Sequence, residues 1–225
     1  MKIAIKLGGF SFPADLDVEK IRTYAELFSR LQNDGNRLVI VTGGGKNARK
    51  YIEASRRLGA NEAFCDEIGI EVARLNARLL ITSLDEDAYP EVPENLEELK
   101  RFFQLGRIVV MGGLQPGHST NAVAALAAET IGASVLVNVT DVEGVYTADP
   151  KRDPEARKID EIAAEELLGL ASRESLAAGS YELMDPLSVM IIERSHIPTW
   201  IVSGEEPENI LKVLRGEHVG TKITS

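Results

Sequence analysis

Short apolar runs that stop at glycine or at a polar turn alternate along this chain with longer stretches in which apolar residues return every three or four positions. Lys2 to Leu7 stops at Gly8-Gly9, Arg37 to Thr42 at Gly43-Gly44-Gly45, Ile108 to Met111 at Gly112-Gly113, and Val135 to Val139 at Thr140-Asp141. Runs of this length and β-branched content fit parallel strands buried on both faces. Ile21, Tyr24, Ala25, Phe28 and Leu31 recur at helical spacing before the stop signal of Gly35, which predicts a helix from Val18 to Asn33. A second helix, carrying Ala48, Tyr51, Ile52 and Ser55, follows the triple glycine. Asn61 to Ser83 has no proline and one glycine, and reads as one long helix. On it Ile68, Val72, Leu75 and Leu79 mark one face, with Arg74, Asn76 and Arg78 on the others.

After a short extended excursion at Asp85 to Pro93, a helix is expected near Glu94 to Gln104. Thr120 to Ile131 is rich in alanine and almost uncharged, so that helix should pack inside the molecule or against a partner. Polar turn residues alternate with Val and Tyr from Thr140 to Pro150, predicting a hairpin or projecting loop. The remainder reads as a helix near Ala163 to Ala171, a loop containing Gly179, and a helix from Pro186 to Ser195 preceded by Asp185. A strand from Thr199 to Val202, a helix from Pro207 to Leu214 and a last edge strand from Gly220 to Thr224 close the chain. Such alternation predicts the α/β class, an open and mostly parallel sheet covered on both faces. Its 225 residues suit a single domain, 1–225.

Composition narrows the function more than the fold. An apolar fraction of 44% and a charged fraction of 27% are those of an ordinary globular protein. The formal net charge of −10 argues against non-specific nucleic-acid binding, which needs a basic surface to displace counterions. Cys65 has no second cysteine to pair with, and His118, His196 and His218 lack metal-ligand spacing, so no protein-built metal site is expected. The first residues do not read as a signal peptide, and no apolar run approaches the roughly 20 residues of a membrane helix. No membrane partner and a cytoplasmic location are therefore expected.

Ligands of open parallel sheets bind at the C-terminal ends of the strands, where the three glycine turns would line one edge. Glycines let the backbone approach a ligand, and the free N–H groups of a first helical turn attract anions. Side-by-side phosphate cradles suit transfer from a nucleoside triphosphate to an acceptor, and the Walker A pattern is absent. Lys6, just before its glycine turn, is placed to reach a migrating phosphoryl group, although a strand-end lysine can equally be plain surface. Arg49, one turn into the glycine-anchored helix, offers a planar fork for phosphate, whereas Lys46 and Lys50 can be solvated.

The set Lys6-Leu7-Gly8-Gly9, Val41 through Ile52, Met111 through Thr120 and Asp141 through Pro150 resembles the amino acid kinase superfamily, and within it the archaeal-type uridylate kinases. The similarity runs nearly the whole length in the right order. It implies a three-layer α/β/α sandwich, with an acceptor part at roughly 1–130 and an ATP part at roughly 131–225. It further implies transfer of the γ-phosphoryl of ATP to UMP with Mg2+, usually by a homohexamer, with UTP or GTP as possible effectors.

By position the resemblance assigns Lys6, Gly9, Gly45 and Arg49 to ATP phosphates or the migrating group, and Gly44 to UMP. Asp66 would hold the UMP ribose, or else cap its helix. Leu114, Gln115, Pro116, Gly117, His118, Ser119 and Thr120 would wrap the uracil and its phosphate. Thr140, Tyr146 and Asp149 would take the adenosine part of ATP, and Asp185 would orient Lys6, cap the Pro186 helix, or do both. Departures stand at Asn121, where many members carry aspartate, and at Met190, where they often carry lysine. Two other readings share the fold: a kinase for a carboxylate or for isopentenyl phosphate, and a non-catalytic nucleotide- or oxyanion-binding protein.

Overall fold

The computed structural model describes residues 1–148, 153, 155–174 and 183–224, without the side chains of 171–174. Its strands are β1 (Lys2–Leu7), β2 (Arg37–Thr42), β3 (Val109–Met111), β4 (Val135–Thr140), β5 (Val145–Tyr146), β6 (Lys158–Ile159), β7 (Glu161–Ala163), β8 (Thr199–Ser203) and β9 (Thr221–Thr224). Its helices are α1 (Val18–Asn33), α2 (Gly45–Arg57), α3 (Glu62–Leu84), α4 (Leu96–Phe103), α5 (Thr120–Ile131), α6 (Ala164–Glu174), α7 (Pro186–Ser195) and α8 (Asn209–Leu214).

Seven strands form one sheet in the order β3-β2-β1-β4-β8-β9-β7. All neighbours run parallel except β8 and β9. Side chains alternate across the sheet. Ala4, Val39, Val41, Val109, Met111 and Leu136 pack under α4, α5, α6 and α7. Ile3, Ile5, Leu7, Leu38, Ile40 and Val110 pack under α1, α3 and α8. Two apolar cores on opposite faces of one sheet make the α/β/α sandwich. Lys6 shares the parity of Ala4, so its side chain leaves the sheet on the α5 and α7 side.

Short polar side chains start the helices at sequence-readable positions. Asp17, Asn61, Asn95, Ser119 and Asp185 each accept a backbone N–H of the first turn of α1, α3, α4, α5 and α7. Each such cap stabilises by about 1 kcal/mol.

The structure departs from the sequence reading in several places. The inner face of α3 carries Cys65, Ile70, Ala73, Asn76, Ala77, Leu80 and Leu84, whereas Leu75 on the expected face is exposed. The apolar residues of α3 extend around most of its circumference, so periodicity did not single out the core side. β9 is not an edge, because β7 pairs with it on the outside. β7 has only one buried side chain, Ile162, too little pattern to read. The segment after Thr140 does form a hairpin, but its return strand is β6, a dozen residues on. The loop around Gly179, together with Asp149 and Pro150, lies outside the described residues. Among the described residues no helix is long and apolar enough to cross a membrane.

Candidate active site

The C-terminal ends of β1, β2 and β4 open onto a cleft of about 590 Å³ whose walls include Lys6, Gly9, Gly44, Gly45, Lys46 and Arg49. Asp66, His118, Ser119, Thr120, Thr140 and Asp141 line it from other elements. The turn after β1 and the turn after β2 touch backbone to backbone. A Cβ on Gly9 would fall 2.5 Å from the Gly45 nitrogen, and Gly45 itself has φ +65°, which L side chains rarely adopt. No larger residue fits at either position without forcing the turns apart. Their contact brings the N-terminus of α2, with its outward amides and favourable dipole, beside the end of β1.

Lys6 stands at the junction, partly buried. Burial pulls its ammonium pKa down to about 8, against the opposing pull of Asp141 and then Asp185. It therefore stays protonated at neutral pH, yet holds its proton less firmly than a surface lysine. Arg49 and Lys46 line the same cleft and have no carboxylate partner among the described residues. Unneutralised cations around glycine amides make this end of the cleft selective for anions even though the whole chain is acidic.

The opposite wall belongs to the segment between β3 and α5. The carboxylate of Asp66 accepts the N–H of Gly117 at 2.8 Å and thereby ties that segment to the start of α3. Asp66 lies just past the first turn of α3 and is not its cap, which is Asn61. His118 Nε2 lies 3.1 Å from Gln115 Nε2, while His118 Nδ1 is buried without a partner. Leu114 packs against the α5-side core, and Gln115, Pro116 and Gly117 are exposed beside the cleft rather than in its wall. The Ser119 hydroxyl caps α5 and donates to Asp185.

Asp185 also accepts the Ser188 N–H at 3.0 Å, so it caps α7 while acting electrostatically on Lys6. The capping reading of that residue holds geometrically. Thr140 lines the cleft, with its hydroxyl 3.3 Å from Asp141 Oδ1. Tyr146 sits on β5 outside the cleft wall, with its hydroxyl 3.2 Å from Glu143 Oε2. Burial, then Glu143, raises the pKa of that phenol. Asp149 lies outside the described residues.

Sequence reasoning gave no role to several residues found here. Asp141 is one of the polar turn residues between Thr140 and Pro150, and its type and place in the sequence mark it for nothing more. Asn138 is level with Lys6 across β1 and β4, and its amide donates to Asn121 Oδ1 at 3.3 Å. Arg74 and Asn76, placed by the sequence off the apolar face of α3, donate to the carbonyls of Gly113 and Gly43. A polar residue inside a long apolar helix was the available signal for both.

The chain matches the sequence model of the amino acid kinase family over residues 1–203. It belongs to the amino acid kinase family. It is 48% identical to the uridylate kinase of Methanothermobacter thermautotrophicus, with 99% of each chain covered. It is 46% identical to that of Archaeoglobus fulgidus, covering 99% of this chain and 100% of the relative. The crystal structure of the Archaeoglobus fulgidus uridylate kinase superposes with a TM-score of 0.90 at 45% identity, over 100% of both chains. The fold extends further, to the UMP kinase of Bacillus anthracis with a TM-score of 0.82 at 21% identity, covering 99% of this chain and 95% of that one. In this amino acid kinase the turns after β1 and β2, Lys6 and Arg49 line one cleft.

Among the described residues no three His, Cys, Asp or Glu side chains form a metal cage. Mg2+ in phosphoryl-transfer sites needs no such cage, because it takes one or two carboxylates together with nucleotide phosphates. Asp141, a carboxylate in the cleft wall within electrostatic range of Lys6, fits that donor set.

Proposed function

We propose that this chain phosphorylates UMP to UDP with ATP as donor. The observation that carries the reading is the backbone contact between Gly9 and Gly45 with Lys6 and Arg49 at its mouth. It places two anion-binding turns and two cations where a pair of phosphorylated reactants would meet head to head. The curated relatives named uridylate kinase, similar over nearly the full chain, support the acceptor.

In this mechanism the amides at the start of α2 and the Arg49 fork hold the ATP phosphates, and the Lys6 ammonium faces the migrating group. Phosphoryl transfer needs alignment and charge neutralisation more than covalent help, and these groups supply both. Asp141 and Asp185 keep Lys6 charged against the cost of its burial. Gly44, Asp66 and the Leu114 to Thr120 segment hold UMP, with Asp66 taking ribose hydroxyls on the oxygen not given to Gly117. Thr140, Tyr146 and Asp149 hold the adenosine. Asp141 would hold the Mg2+ that accompanies ATP, and the ion would supply neutralisation of phosphate charge there.

The proposed setting is the cytoplasm, and the proposed assembly is a homohexamer. Exposed Phe64 and Leu75 on the outer face of α3, with half-buried Ile68, Val72 and Leu79, give such an assembly apolar surface to cover. An assay of the purified protein with Mg-ATP and a panel of acceptors tests the activity. UMP should give UDP and ADP in equal amounts. Turnover of acetylglutamate, carbamate, aspartate or isopentenyl phosphate without turnover of UMP would overturn the assignment.

A further inference from the structure

Asn76 is an internal residue of α3, where asparagine lowers helix propensity and a polar side chain costs free energy to bury unless it is bonded. It is only 4% exposed, and its Nδ2 donates to the Gly43 carbonyl at 2.8 Å. Its target is the backbone of the glycine turn, not another side chain. The next residue toward the strand is fastened to the same helix, because the Thr42 hydroxyl donates to the Ala73 carbonyl at 2.9 Å.

A trans peptide points its C=O and its N–H in opposite directions, and there are no cis bonds among the described residues. The carbonyl of Gly43 and the N–H of Gly44 belong to one peptide plane. Pinning the carbonyl toward α3 therefore turns the Gly44 N–H away from α3. Gly44 lines the cleft, and no described residue accepts its N–H.

We infer that Asn76 is a positioning residue for the reaction: by holding the Gly43 carbonyl it aims the Gly44 amide at the phosphate that lies between donor and acceptor. It touches no reactant. The inference rests on the proposed kinase function for its kinetic consequence, but not for its structural one. Without the Asn76 amide the 43–44 peptide can rotate about its flanking φ and ψ, which glycine on both sides leaves free. The amide would then be lost to the transition state while the cleft kept its shape.

The test compares the parent with Asn76→Leu and Asn76→Asp. Asn76→Leu keeps the branching at Cγ, adds some bulk and removes the donor. It should lower kcat about tenfold or more, with the KM values for ATP and UMP moving less than about threefold, because the amide acts mainly in the transition state. The NMR order parameter of the Gly44 N–H should fall while those of α1 keep the parent values. Asn76→Asp keeps the shape and can donate only when protonated, so it should recover kcat relative to Asn76→Leu as pH falls, a recovery the leucine variant cannot show. A cooperatively folded Asn76→Leu with parental kcat and a parental Gly44 order parameter overturns the inference. Faster exchange at protected amides throughout the chain, with the Gly44 order parameter at its parental value, would mark Asn76 as a plain stability residue and overturn it too. If Asn76→Leu does not fold, Asn76→Asp decides by the presence or absence of the acid-side recovery. Should the parent itself not turn over UMP, the function is wrong, and the Gly44 order parameter alone judges Asn76.

Discussion

The hydroxyl of Ser119 donates to the carboxylate of Asp185, so the caps of two helices, α5 and α7, are bonded to each other beside Lys6. One carboxylate thus serves three tasks: it starts α7, it joins that start to α5, and it helps keep a half-buried lysine protonated. Substitutions can separate the tasks. Asp185→Asn retains an acceptor for the Ser188 N–H and removes the charge. It should unfold within a few degrees of the parent while turnover falls about tenfold or more, as expected when a transition-state charge loses support. Asp185→Ala loses the cap as well and should cost about 1 kcal/mol more, or roughly 2–4 °C. Thermal melts paired with initial rates check both.

The depressed pKa of Lys6 predicts a pH signature with two opposite signs. Catalysis needs the ammonium, so kcat/KM should decline as pH rises through about 8 in the free enzyme. Stability should do the reverse. Between about 8 and the ordinary lysine value of 10.5 the unfolded chain holds a proton that the native chain has lost, so unfolding becomes less favourable as pH rises through that window. Below pH 8 both states carry the proton and the burial cost is present in full. Lys6→Met should accordingly melt higher than the parent at pH 7 and lose this segment of pH dependence, measurable by thermal melts from pH 7 to 10.

Lys6→Ala should lower turnover about 100-fold or more while leaving UMP affinity nearly unchanged, because its contribution belongs to the transition state. Asp66→Asn should act on the other parameter. Loss of a charged acceptor for ribose hydroxyls and for the Gly117 N–H should raise the KM for UMP about tenfold, with a smaller change in kcat. Steady-state kinetics of the two variants side by side check the division of roles, and identical effects would show it to be wrong.

Gly9→Ala puts a methyl group 2.5 Å from the Gly45 nitrogen. The two turns must separate, and the cation and amide cluster separates with them. Expected outcomes are a loss of activity of about 100-fold or more and a destabilisation of about 1–3 kcal/mol, the usual cost of overpacking. Gly35→Ala, at a turn with open space around it, should cost stability through its φ of +84° but leave turnover intact. Comparing the two by denaturant unfolding and activity separates site closure from backbone strain.

The sequence exposed the central sheet well because β1, β2, β3 and β4 are buried on both faces, and each stops at a residue that ends a strand. Glycine turns at three of those ends also located the cleft, since topology alone puts strand C-termini at one edge. Helix starts were legible wherever Asp, Asn or Ser capped them. What escaped has a physical cause in each instance. α3 is apolar around most of its girth, so its core face could not be chosen until α1 and the sheet packed against it. β7 and β6 are too short to carry a period. Asn76 and Arg74 bond to backbone atoms of turns distant in the chain, and no local pattern announces such a partner. Asp141 gains its importance only through proximity to Lys6, which the pairing of β1 with β4 creates.

A crystal structure of the chain with UMP and a non-hydrolysable ATP analogue, with Mg2+, is the most direct test of the central claim. The account predicts the γ-phosphoryl group over the Gly9–Gly45 contact with Lys6 Nζ against it and a phosphate oxygen of UMP roughly 3–3.5 Å from the γ-phosphorus. Either nucleotide bound away from the cleft, or the two phosphate ends held apart within it, would contradict the account.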